Sequence, residues 1–390
     1  MRISHRFTAA LAAVSLAGSG CGLAGGGGAD GDGPIKLGIM AGLQTSSYSH
    51  PWVPQGAKIA AAAINGAGGI GGRKVEVVVC DDKGTPQGAA LCAQKLLTQD
   101  RVLMMVGDDG NMEAGLVPAL KAAKSISWAS LGSSLDSLKN DRVYVLQPVL
   151  VQYWIVPQML PPTTRKVAYV SSDSVIAQES RKRATTYYPK SIGVSSVTLP
   201  ATTADFQPTC LKIKETGADT AVLAISAGQS PSLIQACHQV GLTRLRWVIP
   251  SIEVSPQVVR TLTDLRQPNL GVLAYGGTVR KEFEADIAKY GPKVGGITNP
   301  IADGALNAWL GMKLLTKIIP AAGGPDAEKI KAWLDGQKAF DTMGATAPID
   351  FTATPVPAMP RIKNTSATKG VYENGEPVVT EPKPYTIKTP

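Results

Sequence analysis

The chain has 390 residues and a mass of 40.7 kDa, which suits two domains of about 150 to 200 residues each. Hydrophobic residues make up 44% and charged residues 18%, so most of the chain can bury a core and is not intrinsically disordered. The net charge of +9 is scattered, and the longest basic run is Arg181-Lys182-Arg183. No basic tract therefore favours a nucleic-acid partner, and a basic surface facing an anionic membrane suits the charge at least as well.

Residues 1–20 have the pattern of an export signal. Two arginines and no acidic residue accompany a short apolar stretch at 7–17, about half the length that spans a bilayer. Cleavage is expected before Cys21, because Gly18-Ser19-Gly20-Cys21 resembles a bacterial lipobox with Gly18 where Leu is usual. The Gly-rich segment 21–33 suits a flexible tether. We expect a lipoprotein acylated at Cys21 and anchored at the outer face of the cytoplasmic membrane; the alternative is an ordinary secreted or periplasmic protein with a spare cysteine.

The cysteines fit an exported protein. If Cys21 carries lipid, four of the five cysteines remain, and an oxidising compartment permits disulfides between them. Cys80 ends an apolar run and Cys92 lies on the helical pattern that follows, whereas Cys210 and Cys237 lie on successive helical patterns. We predict the disulfides Cys80–Cys92 and Cys210–Cys237, with buried free thiols as the alternative. No cysteine pair has the spacing of zinc ligands.

Short apolar runs alternate with longer amphipathic runs, which predicts repeated βα units and parallel sheets with helices on both faces. In the first half we expect strands at 35–41, 74–80, 102–106 and 126–129, with helices at 54–65, 87–98 and 112–123. Further strands are expected at 166–170, 194–199, 221–225 and 247–249, separated by helices at 176–187, 206–216 and 231–241. Helices at 280–290, 301–318 and 326–336 follow, and we expect edge strands in the Pro- and Thr-rich C-terminal segment.

Most motifs have a plain structural interpretation. Residues 66–71 match G-x-G-x-x-G, but they follow a predicted helix and precede a strand, the reverse of a dinucleotide site, so we predict a helix-ending turn. Asp81-Asp82 and Asp108-Asp109 follow strands; solvated turn residues are favoured over acid–base groups, because no His or other partner accompanies them. The segment 130–134 offers hydroxyls and backbone N–H groups beyond a strand, which suits either a small carboxylate or simple turn chemistry.

Three stretches resemble the type I periplasmic solute-binding proteins of ABC transporters, the leucine/isoleucine/valine-binding group. The first runs from IKLGIMAGLQT at 35–45 through Gly68-Gly69-Ile70-Gly71-Gly72 to VEVVVCDD at 75–82. The second contains ISWASLGSS at 126–134, and the third contains RKVAYVSSDS at 165–174 and CHQVGL at 237–242. The resemblance implies two α/β lobes, each a parallel sheet flanked by helices, joined by three hinge crossings. Lobe 1 would comprise 34–144 plus 273–348, and lobe 2 would comprise 145–272 plus 349–390.

The resemblance also implies a ligand site between the lobes. In lobe 1, hydroxyls and backbone N–H groups would hold a carboxylate, and the loop after the first strand, with His50, would hold the rest of the ligand. In lobe 2, two family tyrosines fall at Ile176 and Ser226, and the family's acidic residue falls at Ser251, with Glu253 two residues on. The candidate ligand-binding residues are Tyr48, Trp52, Gly110, Asn111, Gly132, Ser133, Ser134, Ile176, Ser226, Ser251 and Glu253.

The implied function is the capture of a small polar solute and its delivery to an ABC permease. Without the tyrosines, an amide, a small carboxylate or a neutral metabolite fits better than an α-amino acid, unless Glu253 pairs with a cationic group. A ligand-sensing receptor of the same fold is the alternative. An exported enzyme, with Asp108, Asp109 and Glu253 as its candidate groups, is disfavoured because no nucleophile–base pair is evident. We expect no cofactor or metal, no nucleic-acid partner and, by resemblance, a monomer.

Overall fold

The chain forms two α/β units, each built on its own sheet. The computed structural model describes residues 33–43, 49–108, 115–132, 134–173, 175–200 and 202–387, with the backbone alone at 175, 176 and 277. Cys21 and the predicted signal and tether segments lie outside the described residues, apart from Gly33. Within the described part of the chain, no helix is both long and apolar enough to cross a membrane.

The first sheet is wholly parallel and has the strand order β2-β1-β3-β4-β5. The strands β1, β3, β4 and β5 are almost wholly buried, because helices cover both faces of the sheet, whereas the edge strand β2 is partly exposed. Its strands are β1 Ile35–Ala41, β2 Val75–Asp81, β3 Met104–Val106, β4 Ser127–Ser130 and β5 Val143–Val145.

The second sheet has the order β12-β11-β10-β9-β8-β6-β7, with an antiparallel hairpin added to five parallel strands. The edge strand β12 contains Pro377, Pro382 and Pro384, which an edge tolerates because one side of the strand needs no donors. The strands are β6 Lys166–Ser171, β7 Gly193–Thr198, β8 Thr220–Ala224, β9 Arg246–Pro250, β10 Asn269–Leu273, β11 Ser366–Glu373 and β12 Glu376–Thr386.

Helices connect successive strands and then return to the first sheet. The long helix α11 packs closely on α1, and a Cβ at Gly56 would lie 2.3 Å from the carbonyl oxygen of Ala305. The helices are α1 Trp52–Gly66, α2 Pro86–Gln94, α3 Val117–Ala122, α4 Val149–Trp154, α5 Val156–Met159, α6 Val175–Thr186, α7 Gln207–Thr216, α8 Ser230–Gln239, α9 Pro256–Asp264, α10 Gly277–Tyr290, α11 Asp303–Ala321 and α12 Ala327–Asp335. Helices α1, α10, α11 and α12 share one core with the first sheet, so the chain revisits its first unit after completing the parallel part of the second.

Most predicted elements are confirmed, with differences at their ends. Residues 66–71 do form a helix-ending turn, in which Gly68 and Gly69 have positive φ. The predicted helix at 87–98 is shorter, because α2 ends at Gln94 and a wider helical turn follows at Lys95–Gln99. The helix predicted at 112–123 begins at Val117 within the described residues.

Five elements were not predicted: β5, the short helices α4 and α5, the helix α9, and β10. β5 has only three residues. The signals for α9 were present but were missed: Ser255 caps the start of the helix, and the buried Val258, Val259 and Leu262 recur at helical spacing. β11 was expected only as a short edge strand, but it is eight residues long and lies between β10 and β12.

Both predicted disulfides are present. Cys80–Cys92 joins β2 to α2 across a Cα–Cα distance of 5.6 Å, and Cys210–Cys237 joins α7 to α8 across 4.9 Å. Each disulfide therefore fixes two neighbouring elements on the outside of one sheet.

Candidate functional site

The predicted ligand-binding residues follow the carboxyl ends of strands from both sheets. In α/β folds, ligands bind at the edge of the sheet that these carboxyl ends form, because the loops beyond that edge form a crevice. The two edges meet at Gly304, at the start of α11. A Cβ at Gly304 would lie 3.7 Å from Trp52 Nε1 and 3.6 Å from Ile252 Cδ1. Trp52, from the first unit, therefore lies close to the segment after β9 of the second.

The loop after β4 is shaped by its backbone. Ala129 has φ +57° and lies at a bulge in the pairing of β4 with β5, and Gly132 has φ +60°. The Gly132 N–H donates to Ser130 Oγ at 3.0 Å. A side chain at Gly132 cannot be accommodated, because its Cβ would lie 2.7 Å from Val145 Cγ1. Ser134 is half-buried, and its hydroxyl accepts a long bond of 3.5 Å from the Ser137 N–H.

The segment after β1 brings two aromatic rings together. The rings of His50 and Trp52 lie 4.8 Å apart. His50 is buried, and Trp52 Nε1 is buried without a hydrogen-bond partner among the described residues. The backbone bond from His50 N to Gly42 O, 2.8 Å, closes the base of this loop. Tyr48 lies outside the described residues.

The loop after β3 is only partly described. Gly110, Asn111 and the neighbouring Ser133 lie outside the described residues. Asp108, at the end of β3, is fully buried and accepts a hydrogen bond from the Ser127 hydroxyl of β4. This carboxylate thus joins two strands beneath the edge, so the prediction of a solvated turn residue was wrong for Asp108.

In the second unit, the two predicted serines have protein partners. Ser226 is half-buried, and its hydroxyl donates to Gln229 Oε1 at 3.3 Å. Ser251 is fully buried, and its hydroxyl donates to the Asp303 carboxylate. Glu253 is half-buried. The side chain of Ile176 lies outside the described part of the structure.

Glu253 lies near Tyr153 of α4. Burial raises the pKa of Tyr153 well above its ordinary value, and the negative charge of Glu253 raises this pKa further. The Tyr153 ring lies 6.3 Å from the ring of Tyr169 on β6. Helix α4 therefore presents an uncharged phenol beside the acidic residue.

Asp303 is a site residue that the sequence did not reveal. Its carboxylate is fully buried and pairs with Arg280 of α10, which is 7% exposed. The same carboxylate accepts the Ser251 hydroxyl and, at 2.8 Å, the backbone N–H of Ala274, which follows β10. Asp303 thus fastens the ends of β9 and β10 to α11. The one available signal was an acidic residue in the first turn of a predicted helix.

Asn307, one helical turn further along α11, reaches the other edge. Its amide donates to Ala129 O at 2.6 Å, and its oxygen accepts the Tyr275 hydroxyl. Burial and, next, the charge of Asp303 raise the pKa of Tyr275 well above its ordinary value. Asp303 and Asn307 therefore connect the ends of strands from both sheets through one helix.

The site offers hydrogen-bonding groups, aromatic surface and one half-buried carboxylate. Among the described residues, no set of three His, Cys, Asp or Glu side chains is placed to hold a metal ion. The arrangement is suited to binding a small molecule by contacts from both sheets.

Comparisons with known proteins agree with this architecture. Residues 34–359 match a family model described as periplasmic binding protein. An amino acid binding protein of Pseudomonas aeruginosa is 23% identical over 325 residues, which cover 79% of this chain and 83% of that protein.

Solved structures show the same fold. The branched-chain amino acid transporter substrate binding protein LivJ from Streptococcus pneumoniae, in complex with isoleucine, has a TM-score of 0.70 at 20% identity, covering 91% of this chain and 100% of that one. A solute binding protein of an ABC transporter from Rhodopseudomonas palustris, in complex with 3,4-dihydroxy benzoic acid, has a TM-score of 0.72 at 18% identity, covering 91% and 98%.

Proposed function

Because this chain belongs to the periplasmic binding protein family, we propose that it captures a small polar solute between two closing lobes and delivers it to an ABC permease. The observation that carries the proposal is the family match over 34–359, which includes every strand of the first sheet and the five parallel strands of the second. A bound solute stabilises the closed arrangement by binding it more tightly than the open one.

The lobes are proposed to be 34–144 plus 273–348 and 145–272 plus 349–390. The packing of α10, α11 and α12 on the first sheet supports the return of the chain to lobe 1. The solute would lie where the two strand edges meet, near Trp52 and the loop containing Gly132. Asp303 and Asn307 would hold the two edges in position rather than contact the solute.

We infer that the solute is an amino acid, an amide or a small carboxylate. The relatives support this range, since one was solved with isoleucine and another with 3,4-dihydroxy benzoic acid. On the lobe 1 side, Gly132 and Ser134 would face a carboxylate. On the lobe 2 side, Ser226 and Glu253 are half-buried, whereas Ser251 is fully buried and bonded to Asp303.

The protein would bind its solute without chemical change. The family's role in transport supports this proposal, and the two disulfides support an extracytoplasmic location. We further propose that Cys21 is acylated and that the protein acts as a monomer at the membrane surface beside its permease.

A thermal-shift screen of residues 22–390 tests the binding role. The panel contains amino acids, short amides, small carboxylates, polyamines and aromatic acids. A solute at 100 times its Kd adds about 2.7 kcal/mol to the free energy of unfolding, which raises the Tm by a few degrees. The proposal expects at least one class to raise the Tm, with the compound recovered unchanged. Recovery of a chemically altered compound would show an enzyme instead.

A further inference from the structure

Two buried glutamines lie where the chain leaves the first sheet. Gln147 follows β5 and is 1% exposed, and Gln152 lies on α4 and is 2% exposed. Neither the oxygen nor the nitrogen of either amide has a hydrogen-bond partner within the described part of the chain. Buried polar groups are nearly always hydrogen-bonded, because an unpaired one is costly. Four unpaired amide atoms within one short segment therefore require an explanation.

The two side chains come from neighbouring positions. Pro148 is the N-cap residue of α4. Gln147 is the residue before this cap, and Gln152 is the fourth residue of the helix. Side chains at these two positions pack against each other at helix starts, usually as an apolar pair. Here both members are carboxamides instead.

The pair adjoins the edge where the solute is proposed to bind. Leu146 N donates to Ser130 O at 3.3 Å, and Val149 N donates to Leu131 O at 3.2 Å. These bonds seat the segment that carries Gln147 against the loop leading to Gly132. Tyr153, the residue after Gln152, lies near Glu253 at the opposite edge. The start of α4 therefore adjoins the loop after β4.

We propose that Gln147 and Gln152 form a subsite for an uncharged polar group of the solute, a carboxamide or a hydroxyl. Each amide supplies one donor nitrogen and one acceptor oxygen, so the pair matches a group that both donates and accepts. Neither amide carries a charge, so the pair offers no counter-charge to a buried ionised group. This inference rests on the proposed function, which it extends by naming the part of the solute recognised at the base of the site.

Another buried glutamine of the chain, whose amide does have hydrogen-bond partners, supplies the matched control. Gln267 is 4% exposed, and its amide bonds Trp247 Nε1 at 3.0 Å and His238 Nδ1 at 2.9 Å. Gln267→Met should lower the Tm, because it leaves these partners unpaired. The double variant Gln147→Met, Gln152→Met should melt at or above the wild-type temperature without solute, because it removes buried polar atoms that bond no protein group. A fall of several degrees would show that the two amides serve the fold, directly or through ordered water, and would overturn the proposal.

Pairs of solutes with similar shapes but different polar groups test whether the two amides recognise such a group. Asparagine and leucine have similar shapes and differ in a carboxamide, and 3,4-dihydroxybenzoate differs from benzoate by two hydroxyls. The wild-type protein should prefer the polar member of at least one pair by about tenfold or more, and the double variant should lose that preference while Gln267→Met keeps it. An unchanged preference in the double variant contradicts the subsite. If the wild-type protein binds none of the four, the proposed solute classes lose their support, whereas the melting comparison still decides the role of the amides.

Discussion

The edge of the first sheet is shaped mainly by backbone conformation, whereas the edge of the second is shaped by side chains with protein partners. After β4, positive φ angles at Ala129 and Gly132 turn the chain, and backbone donors hold the loop. After β9, the Ser251 hydroxyl is held by Asp303, which arrives from a helix 52 residues further along the chain. The first edge is thus shaped mainly by local turns, to which Asn307 adds one bond at Ala129 O, whereas the second edge depends on the distant Asp303.

This difference predicts different responses to mutation. A change in the first edge should alter one loop, because the strain is local. A change at Asp303 should release β9, β10 and α10 together, because their contacts meet at one carboxylate. The predictions below test that contrast.

Asp303→Asn should have the largest effect on stability. The change leaves the buried Arg280 without its counter-charge, and breaking a buried pair in this way costs about 3–5 kcal/mol. Urea denaturation measures the loss. The control is Asp100→Ala, which breaks the exposed pair with Lys95 and should cost less than about 1 kcal/mol. Equal losses in the two variants would contradict the role of Asp303.

Removing a disulfide should come next. Replacing Cys210 and Cys237 with serine frees a loop of 27 residues, which corresponds to about 3.5 kcal/mol by chain entropy. Replacing Cys80 and Cys92 frees a loop of 12 residues and corresponds to about 3 kcal/mol. Denaturation of each double variant under non-reducing conditions measures the difference. A loss below about 1 kcal/mol in both would mean that the disulfides do not constrain the unfolded chain.

Gly132→Ala should disturb the first edge alone. The new Cβ meets Val145 and also strains a backbone at φ +60°, so we expect a loss of about 2 kcal/mol and weaker solute binding. Gly71→Ala is the matched control. Its φ is +57° but nothing lies within 4 Å of the new Cβ, so only the smaller backbone cost remains. If both variants lose the same stability, the contact with Val145 does not matter.

Titration of buried tyrosines should give the smallest effect. Burial raises the pKa of Tyr188 well above its ordinary value of 10.0, so the folded protein keeps a proton that the unfolded chain releases above about pH 10. This tyrosine stabilises the fold fully below that pH, and the contribution falls by up to about 1.4 kcal/mol per pH unit above it. In Tyr188→Phe, the free energy of unfolding should therefore decline less steeply between pH 9 and 11, as measured by denaturation at each pH. An unchanged decline would mean that Tyr188 ionises equally in both states.

The sequence predicted the first edge better than the second for a physical reason. The strand and turn pattern around ISWASLGSS is local, so the loop with Gly132 and Ser134 was expected at the end of a strand. The disulfides were also predicted, because cysteines in an exported chain pair with one another and four of them remained once Cys21 was set aside. Asp303 looked like an ordinary residue at a helix start, since its partners Ser251 and Ala274 lie far away in sequence.

Solute binding between the two strand edges is tested most directly by a calorimetric titration of the best compound from the solute panel. We predict one solute per chain, with affinity reduced at least about tenfold in Gly132→Ala and retained in Gly71→Ala. Unchanged affinity in Gly132→Ala, or a wild-type protein that binds none of the solute classes, would contradict binding at the meeting of the two strand edges.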